Sequence, residues 1–191
     1  MKKIMINNRK IGKGEPCYII AEAGINHNGD IEIAKKMVDV AKESGVDAIK
    51  FQTFTAEEFV NSEEEMYEYE TTEKKVKESM LKMFKRHEFT SEEWREIANY
   101  CEKKDITFLS TPQNISNLEL LLDIGISAIK VGSDDLTNLE LLEDYAKRGL
   151  PILISTGMAY MSEVDEAIRT IQKFNDKLGV FHCVSSYPTE F

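Results

Sequence analysis

Short, nearly continuous apolar runs alternate along this chain with stretches of helical period. The runs Tyr18-Ile19-Ile20-Ala21, Ala48-Ile49-Lys50-Phe51, Thr107-Phe108-Leu109, Ala128-Ile129-Lys130-Val131, Ile152-Leu153-Ile154 and Val180-Phe181-His182-Cys183-Val184 read as six buried strands. Helices are predicted over residues 31–44, after Thr90, and around residues 118–122, 139–147 and 164–174. The first should present Ile33, Met37, Val40 and Ala41 on one face and stop at Gly45, while Thr90 and Glu93 have the spacing of a capping box. Ahead of this alternation, Ile4-Met5-Ile6 and Ile11 flank Asn7-Asn8. Asparagine tolerates the positive φ of a tight turn, so a small N-terminal β-hairpin is expected there.

Strands that are apolar throughout and each followed by a helix belong to parallel sheets covered by helices. Two such architectures compete, an open doubly wound sheet and a closed eight-stranded barrel. The polar residues decide between them, because every strand ends in them: Glu22, Lys50 with Gln52, Ser110-Thr111, Lys130 with Ser133, Ser155-Thr156 and Ser185-Ser186. A barrel gathers all its strand C-termini around one site, whereas an open sheet uses only those beside its switch point. Such barrels run to about 250 residues, and this chain has 191. The expected α/β fold is therefore an incomplete (β/α)8 TIM barrel of about six strands with an N-terminal β-hairpin, residues 1–191 forming one part of a barrel domain.

Residues 53–90 break the alternation. Eight glutamates lie between Glu57 and Glu73, with Phe54, Phe59, Tyr67 and Tyr69 among them. The expectation is a solvated acidic loop with short helices, or a lid over the strand ends.

Charge narrows the partners. With 34 acidic and 24 basic side chains the net charge is −10, which argues against binding nucleic acid or an anionic membrane surface. No apolar run approaches the roughly 20 residues that span a bilayer, and Met1-Lys2-Lys3 leads into no signal-peptide core, so the expectation is a cytoplasmic protein. Cys17, Cys101 and Cys183 are scattered, which speaks against a disulfide scaffold or a structural zinc site.

The chemistry rests on Lys50 and Lys130, each inside an otherwise apolar strand. Lysines are seldom buried without a partner, and two on neighbouring strands suggest a convergent anion site. Ser110, Thr111, Ser133 and Ser155 add hydroxyls at the same level, and Gly132 and Gly157 permit close backbone approach. Together they suit a compact ligand bearing phosphate and carboxylate. Glu22 either handles a proton or pairs with a nearby lysine. The segment Gly24-Ile25-Asn26-His27-Asn28-Gly29 lacks the features of a phosphate loop. Of the histidines, His27 is placed near the mouth of the site, His182 inside a strand as a packed core residue, and no two have metal-ligand spacing.

Six motifs converge on a family. Ile20-Ala21-Glu22-Ala23-Gly24-Ile25-Asn26-His27-Asn28-Gly29, Lys50-Phe51-Gln52-Thr53, Leu109-Ser110-Thr111-Pro112, Lys130-Val131-Gly132-Ser133, Leu153-Ile154-Ser155-Thr156-Gly157-Met158 and His182-Cys183-Val184-Ser185-Ser186-Tyr187-Pro188 resemble, in order, the sialic acid synthase family of N-acetylneuraminate, legionaminate and pseudaminate synthases and their spore-coat polysaccharide relatives. The resemblance implies condensation of phosphoenolpyruvate with an open-chain 2-acetamido sugar, assisted by a divalent metal, commonly Mn²⁺. Carbon 3 of phosphoenolpyruvate attacks the aldehyde, water adds at carbon 2, and phosphate leaves. Carried over by position, Lys50, Thr111, Lys130, Ser133, Ser155 and Ser185 would hold phosphoenolpyruvate, Glu22 would act at the aldehyde, and Gln52, Asp135 and Tyr187 would contact the sugar. Many members read Gly-Ser-Gly-Glu where this chain reads Gly132-Ser133-Asp134-Asp135, and some have asparagine where Ser185 stands. The resemblance also implies that the metal-binding histidines, the last strands and a C-terminal antifreeze-like domain lie outside these residues. It further implies a homodimer at full length, and weak or absent catalysis by this chain alone. Two rival readings are a non-catalytic anion-binding or interaction protein built on a shortened barrel, and another phosphoenolpyruvate-using barrel aldolase.

Overall fold

In the computed structural model, which describes residues 3–70, 75–186 and 189, the chain opens with an antiparallel hairpin of β1 (Ile4–Ile6) and β2 (Arg9–Ile11). Asn7 takes φ 48° in its turn, as the sequence predicts. Then come β3 (Ile20–Gly24), α1 (Ile31–Glu43) and β4 (Ala48–Thr53). An excursion follows, made of α2 (Ala56–Phe59), an antiparallel pair β5 (Met66–Glu70) and β6 (Lys75–Ser79), and α3 (Met80–His87). The alternation resumes with α4 (Ser91–Lys103), β7 (Thr107–Pro112), α5 (Ile115–Ile124), β8 (Ile129–Val131), α6 (Leu139–Lys147), β9 (Ile152–Ser155), α7 (Met161–Gln172) and β10 (Leu178–Phe181).

The parallel strands form two three-stranded sheets, β3-β4-β7 and β8-β9-β10, with β7 beside β8. Each sheet is partial, and together they have the character of an incomplete barrel. Their outward residues, including Ala23, Ile49, Phe51, Phe108, Ile129, Val131, Ile152 and Ile154, form the main core with the covering helices. The inward residues at the strand starts, Ala48, Leu109, Ala128 and Leu153, form a second, smaller core sealed from below by Ile4 and Ile6 of the hairpin. Burying an isoleucine of this kind contributes roughly 1.5–3 kcal/mol, which explains why a hairpin of six strand residues holds its place. Helix starts follow their sequence signals. Asp30 caps α1, and at α4 Thr90 and Glu93 complete the capping box, Thr90 accepting from the Glu93 amide at 3.2 Å and Glu93 from the Thr90 amide at 2.8 Å.

Several expectations are corrected. Among the described residues β3 pairs with β4 and β10 with β9, and neither has a second strand partner. The first run is not a buried strand, since Ile19 is 52% exposed and β3 starts one residue later. On α1 the buried seam is Ala34, Val38 and Ala41, whereas Val40 is 60% exposed. The last strand ends at Phe181, so His182 lies past it and is exposed rather than packed in a core. The acidic segment holds a β-pair in addition to short helices, with charged residues on both strands.

Candidate active site

Strand alternation builds the site. Two residues beyond the apolar inward layer, each strand presents its next inward side chain: Glu22 above Ile20, Lys50 above Ala48, Thr111 above Leu109, Lys130 above Ala128 and Ser155 above Leu153. All five side chains line one cavity of about 640 Å³ at the strand C-termini. Gln52 and Phe54, one step further along β4 and its exit, line its wall. Ser110, placed among the hydroxyls by its position in the sequence, is displaced from them by the same rule. It faces outward, fully buried, with its hydroxyl 2.7 Å from that of Thr53.

The cavity floor is cationic. Lys50 and Lys130 are only 8% and 7% exposed. Lys50 pairs with Glu22, whose side chain is half exposed to the cavity, so the two readings of Glu22 describe one arrangement: a lysine partner that also faces a ligand. Lys130 donates to the Val131 carbonyl and, at 2.6 Å, to the Ser155 hydroxyl. Burial, and secondarily the positive charge of Lys50, pushes the Lys130 ammonium down to about 8. A buried cation disfavoured in this way gains most from an anion that replaces its lost water.

Glycine brings the remaining hydroxyls in. Gly157 has φ +47°, and a Cβ there would stand 2.2 Å from the Ser133 Cβ and 2.8 Å from the Ser185 hydroxyl. The absence of a side chain lets Ser133 and Ser185 close over the end of β9. Both line the cavity, as does Cys183, whose amide donates to the Thr156 hydroxyl at 3.1 Å.

Not every expected residue arrives. Asp134, not Asp135, lines the cavity. Asp135 is half-buried beside Asn138, and burial together with the Asp134 charge raises its carboxyl to about 6. His27 is absent from the cavity wall and fully buried, its ring stacked on Phe89 at 4.2 Å and its Nδ1 accepting from the Gly29 amide at 3.1 Å. Burial, with the His87 charge, pulls it down to about 4. The neighbouring Asn26 reaches the cavity instead. Tyr187 lies outside the described residues. The reading from sequence missed Asn26, Gln113, Asp134, Phe59 and Phe84 as cavity residues. For Asn26 and Asp134 the signal was adjacency to a strand end. Phe59 and Phe84 belong to residues 53–90, the segment read as a solvated loop or a lid over the strand ends, and their place on the cavity wall agrees with the second of those readings.

Among the described residues no three His, Cys, Asp or Glu side chains cluster so as to hold a metal ion. Glu22 is the carboxylate on the floor, and it is committed to Lys50. The described residues do not by themselves make the divalent-metal site that the resemblance implies. No helix among them is long and apolar enough to cross a membrane. A second cavity, about 700 Å³, opens at the opposite end of the strands, but its cations are already paired, Arg9 with Asp47 and Lys42 with Asp105.

Fold and cavity define an α/β chain whose strand ends converge on a cationic, hydroxyl-lined pocket. Comparison with known proteins supplies the particular family: residues 37–191 match the NeuB family, and the chain belongs to it. It is 37% identical to the N,N'-diacetyllegionaminic acid synthase of Legionella pneumophila, over 98% of this chain and 56% of that protein. It is 35% identical to the human N-acetylneuraminate-9-phosphate synthase, over 95% of this chain and 50% of that one. Among solved structures it superposes on an N-acetylneuraminic acid (sialic acid) synthetase from Leptospira borgpetersenii, determined with citrate, with a TM-score of 0.88 and 35% identity, covering 99% of this chain and 61% of the other. The chain thus spans about half the length of the curated relatives it matches.

Proposed function

We propose that this chain carries the phosphoenolpyruvate site of a nonulosonic (sialic) acid synthase, an enzyme that joins phosphoenolpyruvate to a 2-acetamido sugar such as N-acetylmannosamine and releases phosphate. The observation that carries this reading is the pair of buried lysines on the cavity floor, ringed by the hydroxyls of Thr111, Ser133, Ser155 and Ser185. Phosphoenolpyruvate is small and bears a phosphate and a carboxylate, which matches two cations set among short hydroxyl donors.

On this reading Lys50 and Lys130 divide the two anionic groups between them, and Ser155, already bonded to Lys130, turns with it toward the ligand. The anion competes with Glu22 for Lys50 and frees that carboxylate at the mouth of the cavity. There it can orient the incoming aldehyde or take the proton of the water that adds at carbon 2. The bond formed joins carbon 3 of phosphoenolpyruvate to the aldehyde carbon. Water supplies the new oxygen at carbon 2, and the carbon–oxygen bond to phosphate breaks. Gln52 lies on the wall beside Lys50, within the same row of inward residues, and is assigned to the sugar. Asp135 and Tyr187 keep that assignment only from the resemblance.

The lack, among the described residues, of a second strand partner for β3 and β10 supports a further part of the reading: six strands of an eight-stranded barrel, completed by other residues of the full protein. The divalent ion, commonly Mn²⁺, the C-terminal antifreeze-like domain, the homodimer and a cytoplasmic setting belong to that full protein.

Calorimetric titration of the 191-residue chain with phosphoenolpyruvate tests the central point. Saturable binding that Lys130→Met weakens by about 10-fold or more supports it, and no binding at up to millimolar ligand overturns it. Turnover is read separately, as phosphate released from phosphoenolpyruvate with N-acetylmannosamine and Mn²⁺. Little or none is expected of this chain alone, and rates typical of enzymes would show that the ion is held by residues assigned here to other roles.

A further inference from the structure

His27 is fully buried in a box of rings, stacked on Phe89, with Trp94 edge-on at 6.2 Å and Phe51 at 6.1 Å. Such a box suits a phenylalanine better than a histidine, because the imidazole brings in a buried Nε2 that meets no hydrogen-bond partner. Packing therefore does not account for the choice of residue. The other ring nitrogen does. Nδ1 accepts from the Gly29 amide at 3.1 Å, which leaves the ring proton on Nε2. Burial keeps the ring neutral, so Nδ1 stays an acceptor.

That bond matters because of the turn it spans. Between β3 and α1 the chain takes three left-handed residues, Gly24 at φ 55°, Asn28 at 54° and Gly29 at 74°. Just before them, the pairing of β3 with β4 shifts register between Glu22 and Gly24. Asn28 lacks a glycine's freedom, and conformations of this kind persist only where the surroundings over-determine them. Gly29 also lies against the end of α3, where a Cβ would stand 2.0 Å from the Arg86 carbonyl oxygen. The turn has one seat, and the Nδ1 bond holds it there.

What the turn carries is polar and belongs to the cavity. Asn26 lines the wall, its side-chain amide donating to the Ala23 carbonyl at 3.0 Å. A Cβ on Gly24 would stand 3.5 Å from the Glu22 Oε1 and 3.9 Å from the Asn26 Nδ2, so carboxylate and amide share the space over that glycine. A carboxylate displaced from Lys50 by an incoming anion needs another donor, and the Asn26 amide stands in the same space.

We propose that His27 is a positioning residue of this site: through its Nδ1 bond to Gly29 it holds the β3–α1 turn in the form that sets Asn26 beside Glu22 at the cavity. The proposal rests on the reading of the cavity as a phosphoenolpyruvate site and adds to it a residue that acts on the ligand from inside the core, without touching it.

The test titrates phosphoenolpyruvate into the 191-residue chain and four variants, His27→Phe, His27→Asn, Asn26→Ala and the Asn26→Ala, His27→Phe double variant, with chemical denaturation run on each. His27→Phe keeps the stacked ring and loses the acceptor. Its stability should hold while affinity falls about 3- to 10-fold, the scale of one hydrogen bond. Asparagine can accept from the amide two residues on, so His27→Asn should lose stability with the ring yet keep most of the affinity in its folded fraction. Asn26→Ala should match the loss in His27→Phe, and the double variant should bind no more weakly than either alone. A purely structural histidine would instead tie affinity to stability and give additive losses. In the unaltered chain the Gly29 amide should exchange slowly with solvent deuterium, a readout that needs no variant to fold. Full affinity in His27→Phe, additive losses in the double variant, or rapid exchange at Gly29 would each overturn the proposal alone. No phosphoenolpyruvate binding by the unaltered chain would overturn the reading of the site and the proposal together.

Discussion

The two ends of the strands are built from the same rows of inward side chains and behave as opposites. At the lower end Ala48, Leu109, Ala128 and Leu153 meet Ile4 and Ile6, and water is excluded. Two residues along, the same strands present Lys50, Thr111, Lys130 and Ser155, which line an open cavity. A strand rises about 3.3 Å per residue, so stability and chemistry are separated by roughly 7 Å. What divides them is a hairpin that seals one end, leaving the polar layer at the other to be satisfied by its own partners and by a ligand. Damage at one end should therefore appear as lost stability, and damage at the other as lost binding.

The largest effect is expected from Ile6→Ala, which opens a void in the sealed end. Chemical denaturation should report a loss of roughly 2–5 kcal/mol, with phosphoenolpyruvate affinity unaltered in whatever fraction stays folded. A loss of affinity without a loss of stability would break the comparison. Lys130→Met is the converse. Removing a buried, disfavoured charge should leave stability unchanged or raised, while anion affinity falls by about 1.5–3 kcal/mol, the scale of hydrogen bonds to charged groups.

Changing pH sharpens the contrast without mutation. Lys130 in the folded chain loses its proton at about 8, below the ordinary lysine value of 10.5. Between those values the unfolded chain binds more protons than the folded one, so stability should rise as pH climbs from about 8 toward 10.5. Anion affinity should fall over the same window, since the neutral amine no longer attracts the ligand. Parallel unfolding and binding titrations that moved in the same direction would remove Lys130 from the site. The smallest effect belongs to Ser155→Ala, which deletes the 2.6 Å bond to Lys130. About 1 kcal/mol of anion affinity should go, measured by the same titration.

How far the sequence could be read divides along similar lines. The buried lysines were legible because a lysine inside an apolar strand is costly wherever it occurs, so its presence announces a partner or a ligand. Ser110 was misplaced because position near a strand end says nothing of which face a residue takes; its neighbour Thr111 faces the cavity and it does not. His182 and Val40 misled because their patterns presuppose covered elements, whereas the last strand ends at Phe181 and Val40 is exposed. His27 carried a polar label into an aromatic core, where Phe89 and Trp94 enclose it.

The sequence by itself determined what is local: the alternation of strand and helix, the Asn7 turn, the Thr90 capping box, the two lysines and the family motifs around them. These depend on backbone preference, on short-range hydrogen bonds and on the cost of burying charge, all of which act within a few residues. Only the tertiary structure decided which residues share a cavity. It set Asp134 rather than Asp135 at the pocket, closed Ser133 and Ser185 over Gly157, and brought Phe59 and Phe84 into the same cavity as Lys50. Those choices follow from strand register and from the packing of elements far apart in the chain, and no single stretch of sequence contains them.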